Sequence, residues 1–385
     1  MSAPPIPGVT SPSPRLRGMD RLRHFWQRIS EGRQIDELWS HFTADARASY
    51  GFYMKESDAE ELQGRHGIRR WFRITKILFW SLLMKMTPAR RVLLLVALVL
   101  LVMSGPKFRF ANDFAFDVNF ESVAALAFLL LLSLELADKV TMKRDLEIAR
   151  EIQTWLVPSK PPEVAGADIA FATRPQNSVA GDYYDAFYPN PEDREKLMVV
   201  IADVAGKSVP AALLMATLQA SLRTIAGENA PLADLVARLN RYACAHSLNG
   251  LRFTTAVLSE YNPASRKLTY VNAGHNAPIL RHANGAVEML EVGGLPLGIR
   301  LDRAYETASL ELRPGDALIF FTDGVIEAFN ESGEEFGNER WLSAIRNLPD
   351  WDAQQSLQFL MKRVDEFAGA TRQSDDITCL VFRCR

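Results

Sequence analysis

Five aspartates in the sequence stand where a strand would end or a tight turn would form. They are Asp182 in AGDYYD, Asp203 in IADVAGKS, Asp323 in FFTDGV, and Asp375 with Asp376 in SDDIT. Carboxylate oxygens are the ligands that Mg²⁺ and Mn²⁺ prefer. Taken singly, an Asp beside a Gly is more often a turn than a ligand. Because most of these segments adjoin long apolar runs that would bury the carboxylates, the set as a whole favours a divalent metal site.

The stretch around Asp203 shows how such a carboxylate would be positioned. The apolar residues from Met198 to Ala202 predict a buried strand that delivers Asp203 to its end. Gly206 and Pro210 then interrupt the run, and the apolar segment from Ala211 to Leu222 is long enough for a packed helix. A lone carboxylate is costly to bury. Asp203 therefore needs a partner, and a metal ion is the obvious one.

The elements that would carry these aspartates predict one long domain of strands and helices. Predicted strands cover Ile169 to Thr173, Leu197 to Asp203, Thr254 to Tyr261, Lys267 to Asn272, Ala277 to Arg281, Ala317 to Thr322 and Ile377 to Arg383. Predicted helices cover Val209 to Ala226, Leu232 to Ser247, Asn338 to Asn347 and Ala353 to Phe367. Hairpin-length turns at Asn262 to Ser265 and Ala283 to Gly285 imply antiparallel pairing. The predicted class is α+β, not a doubly wound parallel sheet.

Composition excludes several classes of protein. The chain has 385 residues and a formal net charge of -2, which argues against a nucleic-acid-binding protein. The three cysteines, Cys244, Cys379 and Cys384, have neither the number nor the spacing of a disulfide or zinc framework. The six histidines include no HExxH pair, so a zinc hydrolase is disfavoured. The cysteines are read as reduced thiols in a cytosolic domain.

The N-terminal part differs in character from the rest. Residues 1–20 are rich in Pro and Ser and predict a disordered leader, and residues 21–90 form a basic, aromatic segment. Residues 91–137 contain two uncharged runs of fifteen and thirteen residues. Each run is shorter than the roughly 20 residues of a spanning helix, but flanking residues can extend both. The runs predict a two-helix transmembrane hairpin, with two core helices of a soluble domain as the alternative.

Charge favours the membrane interpretation. Basic residues precede the first run and follow the second: Arg69, Arg70, Arg73, Lys76, Lys85, Arg90, Arg91, Lys139, Lys143 and Arg144. The positive-inside rule then places both flanks in the cytoplasm and the acidic connecting loop outside. The expected location is the inner (cytoplasmic) membrane, crossed more than once, with the C-terminal domain in the cytoplasm.

Residues 138–158 predict a linker helix between the hairpin and this domain. The segment from Asp138 to Leu156 contains no Gly or Pro, and prolines follow it. It is either a signalling helix or an ordinary amphipathic helix packed on the domain. If it mediates a homodimer, Ala149, Ile152 and Leu156 would form the seam.

A series of motifs in this order and spacing resembles a known family. The motifs are AGDYYDAF, ADVAGKSVPAALLMA, FTTA, VNAGHNAPIL, LPLGI, LRPGDALIFFTDGVIEA and SDDITCLVF. From about Leu146 to Arg383 they resemble the SpoIIE/RsbU branch of the metal-dependent type 2C (PPM) serine/threonine protein phosphatases. The resemblance implies a phosphatase domain over residues 159–385, with two packed antiparallel sheets flanked by helices. It also implies two divalent cations, Mn²⁺ or Mg²⁺, at one edge of this αββα sandwich.

The resemblance assigns roles to individual residues. Asp203 would be shared by both metals, with the backbone carbonyl of Val204 beside it. Asp182 would hold one ion, while Asp323 and Asp375 would hold the other; the family pattern favours Asp375 over Asp376. Two ions about 4 Å apart would activate a water as the nucleophile, so no protein nucleophile is implied.

Other residues near these motifs have open roles. Ala180 and Ser208 replace glycines of the family pattern without adding or removing a ligand. Arg174 is the only arginine just before Asp182 where eukaryotic relatives carry a phosphate-binding one. His275 is either a general acid or, preferably, a turn-stabilising residue. Lys207 either orients the substrate phosphate or is solvated.

These observations lead to a functional hypothesis. It is a membrane-tethered phosphatase acting on phosphoserine or phosphothreonine of a bacterial signalling regulator, such as the anti-sigma-factor antagonist that the family resemblance suggests. The alternatives are a catalytically silent module that binds a phosphoprotein and a hydrolase of small phosphate esters. Retention of all the acidic positions argues against the silent module.

Overall fold

The structure is a computed structural model that describes residues 79–80, 83–103, 120–228, 230–246 and 252–385. The predicted leader, nearly all of the basic segment 21–90 and the loop predicted to lie outside the membrane fall beyond these residues. The chain forms two compact units, Met1–Ala137 and Asp138–Arg385.

The first unit contains an apolar helix, α1 (Pro88–Met103), and the start of a second helix, α2 (Phe120–Leu156). Their apolar side chains are largely exposed; Val102 is 78% and Leu126 66% accessible. Arg90 pairs with Glu135 at 3.0 Å. Among the described residues, two helices are long and apolar enough to cross a membrane, α2 and a helix at Val209–Ala226. The latter packs into the core of the second unit, so it is an ordinary core helix.

The second unit contains the remaining elements. Its strands are β1 (Ala167–Arg174), β2 (Tyr183–Phe187), β3 (Leu197–Val204), β4 (Thr254–Asn262), β5 (Lys267–Ala273), β6 (Ile279–Arg281), β7 (Val287–Met289), β8 (Ala308–Glu311), β9 (Ala317–Phe321) and β10 (Ile377–Cys384). Its helices are α3 (Val209–Ala226), α4 (Leu232–Ala245), α5 (Gly337–Arg346) and α6 (Ala353–Ala368), with a 3₁₀ turn at Asp323–Val325.

The strands form two sheets of five, and their pairs are antiparallel. One sheet has the order β1-β10-β9-β6-β7 and the other β2-β3-β4-β5-β8. Successive side chains of a strand point to opposite faces. Leu197, Val199 and Ile201 of β3 therefore pack against the other sheet, in a cluster that includes Phe320 and Phe382.

The opposite faces of the sheets are covered by helices. Met198, Val200 and Ala202 of β3 pack in one cluster with α3 and α4. Ile319 of β9 and Val381 of β10 pack in another with α5 and α6. Because both faces of these strands are buried, they read as continuous apolar runs. The arrangement is an αββα sandwich, which confirms the predicted class.

All the predicted strands and helices of this unit are present, and the two predicted hairpin turns join β4 to β5 and β6 to β7. Three strands were missed. β2, YYDAF, carries Asp185 at its centre and does not show an alternation of apolar and polar residues. β7 and β8 are only three and four residues long. Asp185 is tolerated in a fully buried strand because Arg223 donates two hydrogen bonds of 2.9 Å to its carboxylate.

Candidate metal centre

Strand register brings the predicted aspartates to one edge of the sandwich. Tyr183 of β2 pairs with Ala202 of β3, and Asp182 and Asp203 are the residues next to this pair in sequence, at the same edge of the sheet. In the other sheet, Asp323 follows the end of β9 after one intervening residue, Thr322, and Asp376 immediately precedes β10. Strands β9 and β10 are paired neighbours. Each aspartate therefore sits at a strand end, as the sequence predicted.

A threonine joins the two sheets at this edge. The hydroxyl of Thr322 donates a 2.9 Å hydrogen bond to Oδ2 of Asp182 and accepts one of 2.9 Å from the amide of Thr378. Asp182 is 4% exposed and Thr322 is fully buried. The contact fixes the position of a carboxylate from one sheet against a strand end of the other.

The carboxylates repel one another electrostatically. Burial, followed by the charges of Asp323, Asp375, Asp376 and Glu327, raises the pKa of Asp203 to about 7. Burial and the neighbouring charge of Asp203 raise the pKa of Asp182 well above its usual value. Like charges and burial both disfavour the ionised form. A cluster with this excess of negative charge is suited to a cation.

The neighbouring aspartates Asp375 and Asp376 make different contacts. Asp376 accepts 2.6 Å hydrogen bonds from the amides of Gln176 and Gly181, so both of its oxygens hold the loop before β2. Asp375 is one-third exposed and forms a 2.9 Å ion pair with Lys207. Asp376 is thus committed to backbone groups. The less engaged Asp375 is the one that the sequence favoured as a ligand.

The Lys207 ammonium is held by two contacts within the protein and does not simply extend into solvent. Its ammonium donates to the carbonyl of Ser374 at 2.8 Å in addition to pairing with Asp375. It lies on the loop between β3 and α3, where Gly206 turns the backbone at a φ of +118°. Val204, whose carbonyl is the predicted backbone ligand, ends β3, and a side chain at Gly181 would approach that carbonyl to 3.2 Å. The glycine keeps the Asp182 loop close to Val204.

One acidic residue of the cluster was missed from the sequence. Burial and the charges of Asp323, Glu335 and Asp375 raise the pKa of Glu327. Its amide donates a 2.9 Å hydrogen bond to the carbonyl of Asp323, so it lies one helical turn further along. The four-residue spacing in DGVIE was the signal that could have identified it.

His275 and Arg174 are engaged elsewhere. The ring of His275 lies 2.8 Å from the Thr255 hydroxyl and 3.1 Å from the Phe321 carbonyl, and burial lowers its pKa to about 4. It is therefore neutral at pH 7 and bridges strand ends, which supports the turn-stabilising interpretation over a general acid. Arg174 pairs with Asp365 of α6.

The donor set fits divalent cations in its chemistry, since it consists of carboxylates and one carbonyl. In the described part of the chain, however, no three His, Cys, Asp or Glu side chains are already arranged to hold a metal ion. The predicted ligand Asp375 is paired with Lys207.

Comparisons with known proteins agree with this architecture. The family model described as Stage II sporulation protein E (SpoIIE) matches residues 193–385. The chain is 31% identical over 193 residues to the phosphoserine phosphatase RsbU of Bacillus subtilis (strain 168), an alignment that covers 50% of this chain and 56% of that protein. The chain spans about half the length of the curated relatives it matches.

Two solved structures show the same fold. The SiaA-PP2C domain of Pseudomonas aeruginosa superposes with a TM-score of 0.57 at 21% identity, covering 65% of this chain and 99% of that one. The PP2C phosphatase domain of SpoIIE from Bacillus subtilis, with a fragment of its regulatory domain, gives 0.50 at 20% identity over 58% of this chain and 64% of that one. The family match spans half of the chain and includes Asp203, Asp323, Asp375 and Asp376. With the PP2C-like sandwich, this shows that the protein belongs to the SpoIIE family, in the SpoIIE/RsbU branch of the PPM phosphatases.

Proposed function

We propose that this chain is a metal-dependent phosphatase that hydrolyses phosphoserine or phosphothreonine on a protein. The observation that carries the proposal is the convergence of mutually repelling carboxylates at one edge of a SpoIIE-family sandwich. The substrate class follows the similar RsbU, which is named a phosphoserine phosphatase. By the same family analogy, the substrate would be a phosphorylated signalling regulator such as an anti-sigma-factor antagonist.

The ligands would be the side chains of Asp182, Asp203, Asp323 and Asp375 and the carbonyl of Val204. Two Mn²⁺ or Mg²⁺ ions held there would neutralise phosphoryl charge and acidify a water molecule. The charges of Asp323 and Asp375 act on Asp203, and the charge of Asp203 acts on Asp182, which supports Asp203 as the shared ligand. Release of Asp375 from Lys207 would free the carboxylate and leave an ammonium at the edge of the site. That ammonium would be available to a substrate phosphate.

We further propose that the protein is tethered to the inner membrane by residues 91–137 and forms a homodimer through residues 138–156. Support for tethering comes from the exposed apolar side chains of α1 and α2 and the flanking basic residues. Support for the dimer is the exposed Ile152, which is 50% accessible. The other two predicted seam residues, Ala149 and Leu156, are half-buried.

The test is phosphate release from a phosphoserine peptide by the full-length chain in mild detergent. We expect release with Mn²⁺ or Mg²⁺, none in EDTA, and a loss of several orders of magnitude in Asp203→Asn. The exposed Asp302→Asn is the matched control and should leave the rate unchanged. Binding of the peptide without release would support the silent module. Cleavage of p-nitrophenyl phosphate alone would support a small-ester hydrolase, and full activity in EDTA would overturn the metal assignment.

A further inference from the structure

The short segment before β2 is held by side chains instead of by a sheet. Ala180 and Gly181 lie immediately before the predicted ligand Asp182, and Ala180 is 5% exposed. In the described part of the chain, the backbone groups of these two residues make no hydrogen bond to another backbone group. Buried backbone groups need partners, because an unsatisfied one loses its hydrogen bond to water without gaining another.

Two side chains supply those partners. Gln153 of α2 accepts a 2.9 Å hydrogen bond from the Ala180 amide through Oε1 and donates one of 2.7 Å from Nε2 to the Ala180 carbonyl. Asp376 accepts a 2.6 Å hydrogen bond from the Gly181 amide. Three consecutive polar groups of the backbone are thus fixed, two of them by one amide side chain.

We propose that Gln153 is a positioning residue for the metal centre, which sets the place of Asp182 by holding both backbone groups of Ala180. This inference rests on the proposed function for its catalytic meaning, but the contact itself concerns only the chain's own residues. A primary amide is required because the contact needs one acceptor and one donor on the same group. Glutamate has the same shape, but when ionised it offers only hydrogen-bond acceptors. One of its oxygens would then repel the Ala180 carbonyl oxygen instead of donating a hydrogen bond to it.

The Gln153 contact affects how precisely Asp182 is positioned in the site. Asp182 is held at its carboxylate by Thr322 and at its backbone by the Ala180–Gly181 segment. Without Gln153 the buried Ala180 groups would have to reach other partners, so the segment would move. Residues that orient metal ligands from outside typically change metal affinity 10–100-fold when mutated.

The test compares Gln153→Ala and Gln153→Glu with wild type in the full-length chain. Glu151→Ala is the control, because Glu151 is an exposed residue of the same helical turn. We expect amide hydrogen exchange of residues 179–184 in the metal-free protein to become at least about tenfold faster in both Gln153 variants, with exchange of β9 and β10 unchanged. We expect Mn²⁺ affinity, measured by calorimetric titration, to fall about 10–100-fold.

Gln153→Glu keeps the size of the side chain and the acceptor for the Ala180 amide, so it remains informative if Gln153→Ala fails to fold. Exchange rates and Mn²⁺ affinity that match those of Glu151→Ala would overturn the inference. Neither readout requires turnover. A wild-type chain with no phosphatase activity would therefore refute the proposed function while leaving the Gln153 result interpretable.

Discussion

Asp203 carries an electrostatic cost in the metal-free protein. Its pKa is raised to about 7 in the folded state, against about 3.9 in an unfolded chain. A raised carboxyl pKa favours folding below the unfolded value, and this contribution is lost as the pH rises through about 7. We expect Asp203→Asn in EDTA to increase the free energy of unfolding by about 1–3 kcal/mol at pH 8, with little change at pH 4.

Urea unfolding at the two pH values measures this difference. The exposed Asp302→Asn variant should show neither effect. An Asp203→Asn protein that is less stable than wild type at pH 8 in EDTA would contradict the repulsion described here. The expected gain is a stability–function trade-off, because the same substitution should abolish activity.

Ser208 stands where the family pattern has a glycine, and its backbone adopts a conformation that is unfavourable for a residue with a side chain. Its φ is +66° with a ψ of -147°, close to a region that is essentially confined to glycine. We expect Ser208→Gly to stabilise the protein by about 1 kcal/mol, measured as a higher urea midpoint with an unchanged slope. Ser221→Gly, inside α3, should instead be destabilising by about 0.5 kcal/mol. Equal effects of the two substitutions would show that the Ser208 backbone is not strained.

The sequence predicted where the acidic residues lie, but it did not predict their hydrogen-bond partners. An aspartate next to an apolar run predicts a carboxylate at a strand end, and Asp182, Asp203 and Asp323 lie there. The hydrogen bonds of Asp376 to Gln176 and Gly181 depend on three-dimensional folding of a distant loop. No local pattern encodes such a contact, and the same holds for Gln153.

Helix α2 is the element that extends from the apolar N-terminal unit into the second unit. It runs without a break from Phe120 to Leu156 and contains Ile152, which is 50% exposed. If a dimer forms through this face, a few kcal/mol of differential packing would be enough to shift the site between states. We expect Ile152→Glu to weaken the dimer in light scattering and to change the phosphatase rate at least severalfold, with Mn²⁺ affinity unchanged.

Glu151→Ala is the matched control for this experiment, and it should leave both oligomeric state and rate as in wild type. A monomeric wild-type chain in detergent, together with an unchanged rate in Ile152→Glu, would mean that α2 serves only as a packed helix.

Burial decided which strands could be recognised from the sequence. Long apolar runs such as β3 and β10 were evident because both faces of the strand are covered. β2 was missed because its buried Asp185 depends on Arg223 from α3, a partner that is distant in sequence. Very short edge strands such as β7 have too few residues for a periodic pattern.

The whole chain is expected to cross the membrane twice. The two apolar runs and the flanking basic residues predict that both flanks of the hairpin lie in the cytoplasm. Reporter fusions after Arg73 and after Arg385 should indicate the cytoplasm, and a fusion within residues 112–119 should indicate the outside. Release of the protein from membranes by carbonate would show instead that the apolar runs only touch the surface.

The proposed phosphatase chemistry requires the carboxylate edge to bind metal ions, and the number of bound ions can be counted. We predict that equilibrium titration of the full-length, metal-free chain finds two Mn²⁺ ions per chain. In Asp203→Asn, which removes the shared ligand, we predict that binding at both positions is lost or severely weakened, while Asp302→Asn binds like wild type. Absence of specific Mn²⁺ or Mg²⁺ binding in wild type, or unchanged binding in Asp203→Asn, would show that the carboxylate edge is not a two-metal site with Asp203 as the shared ligand.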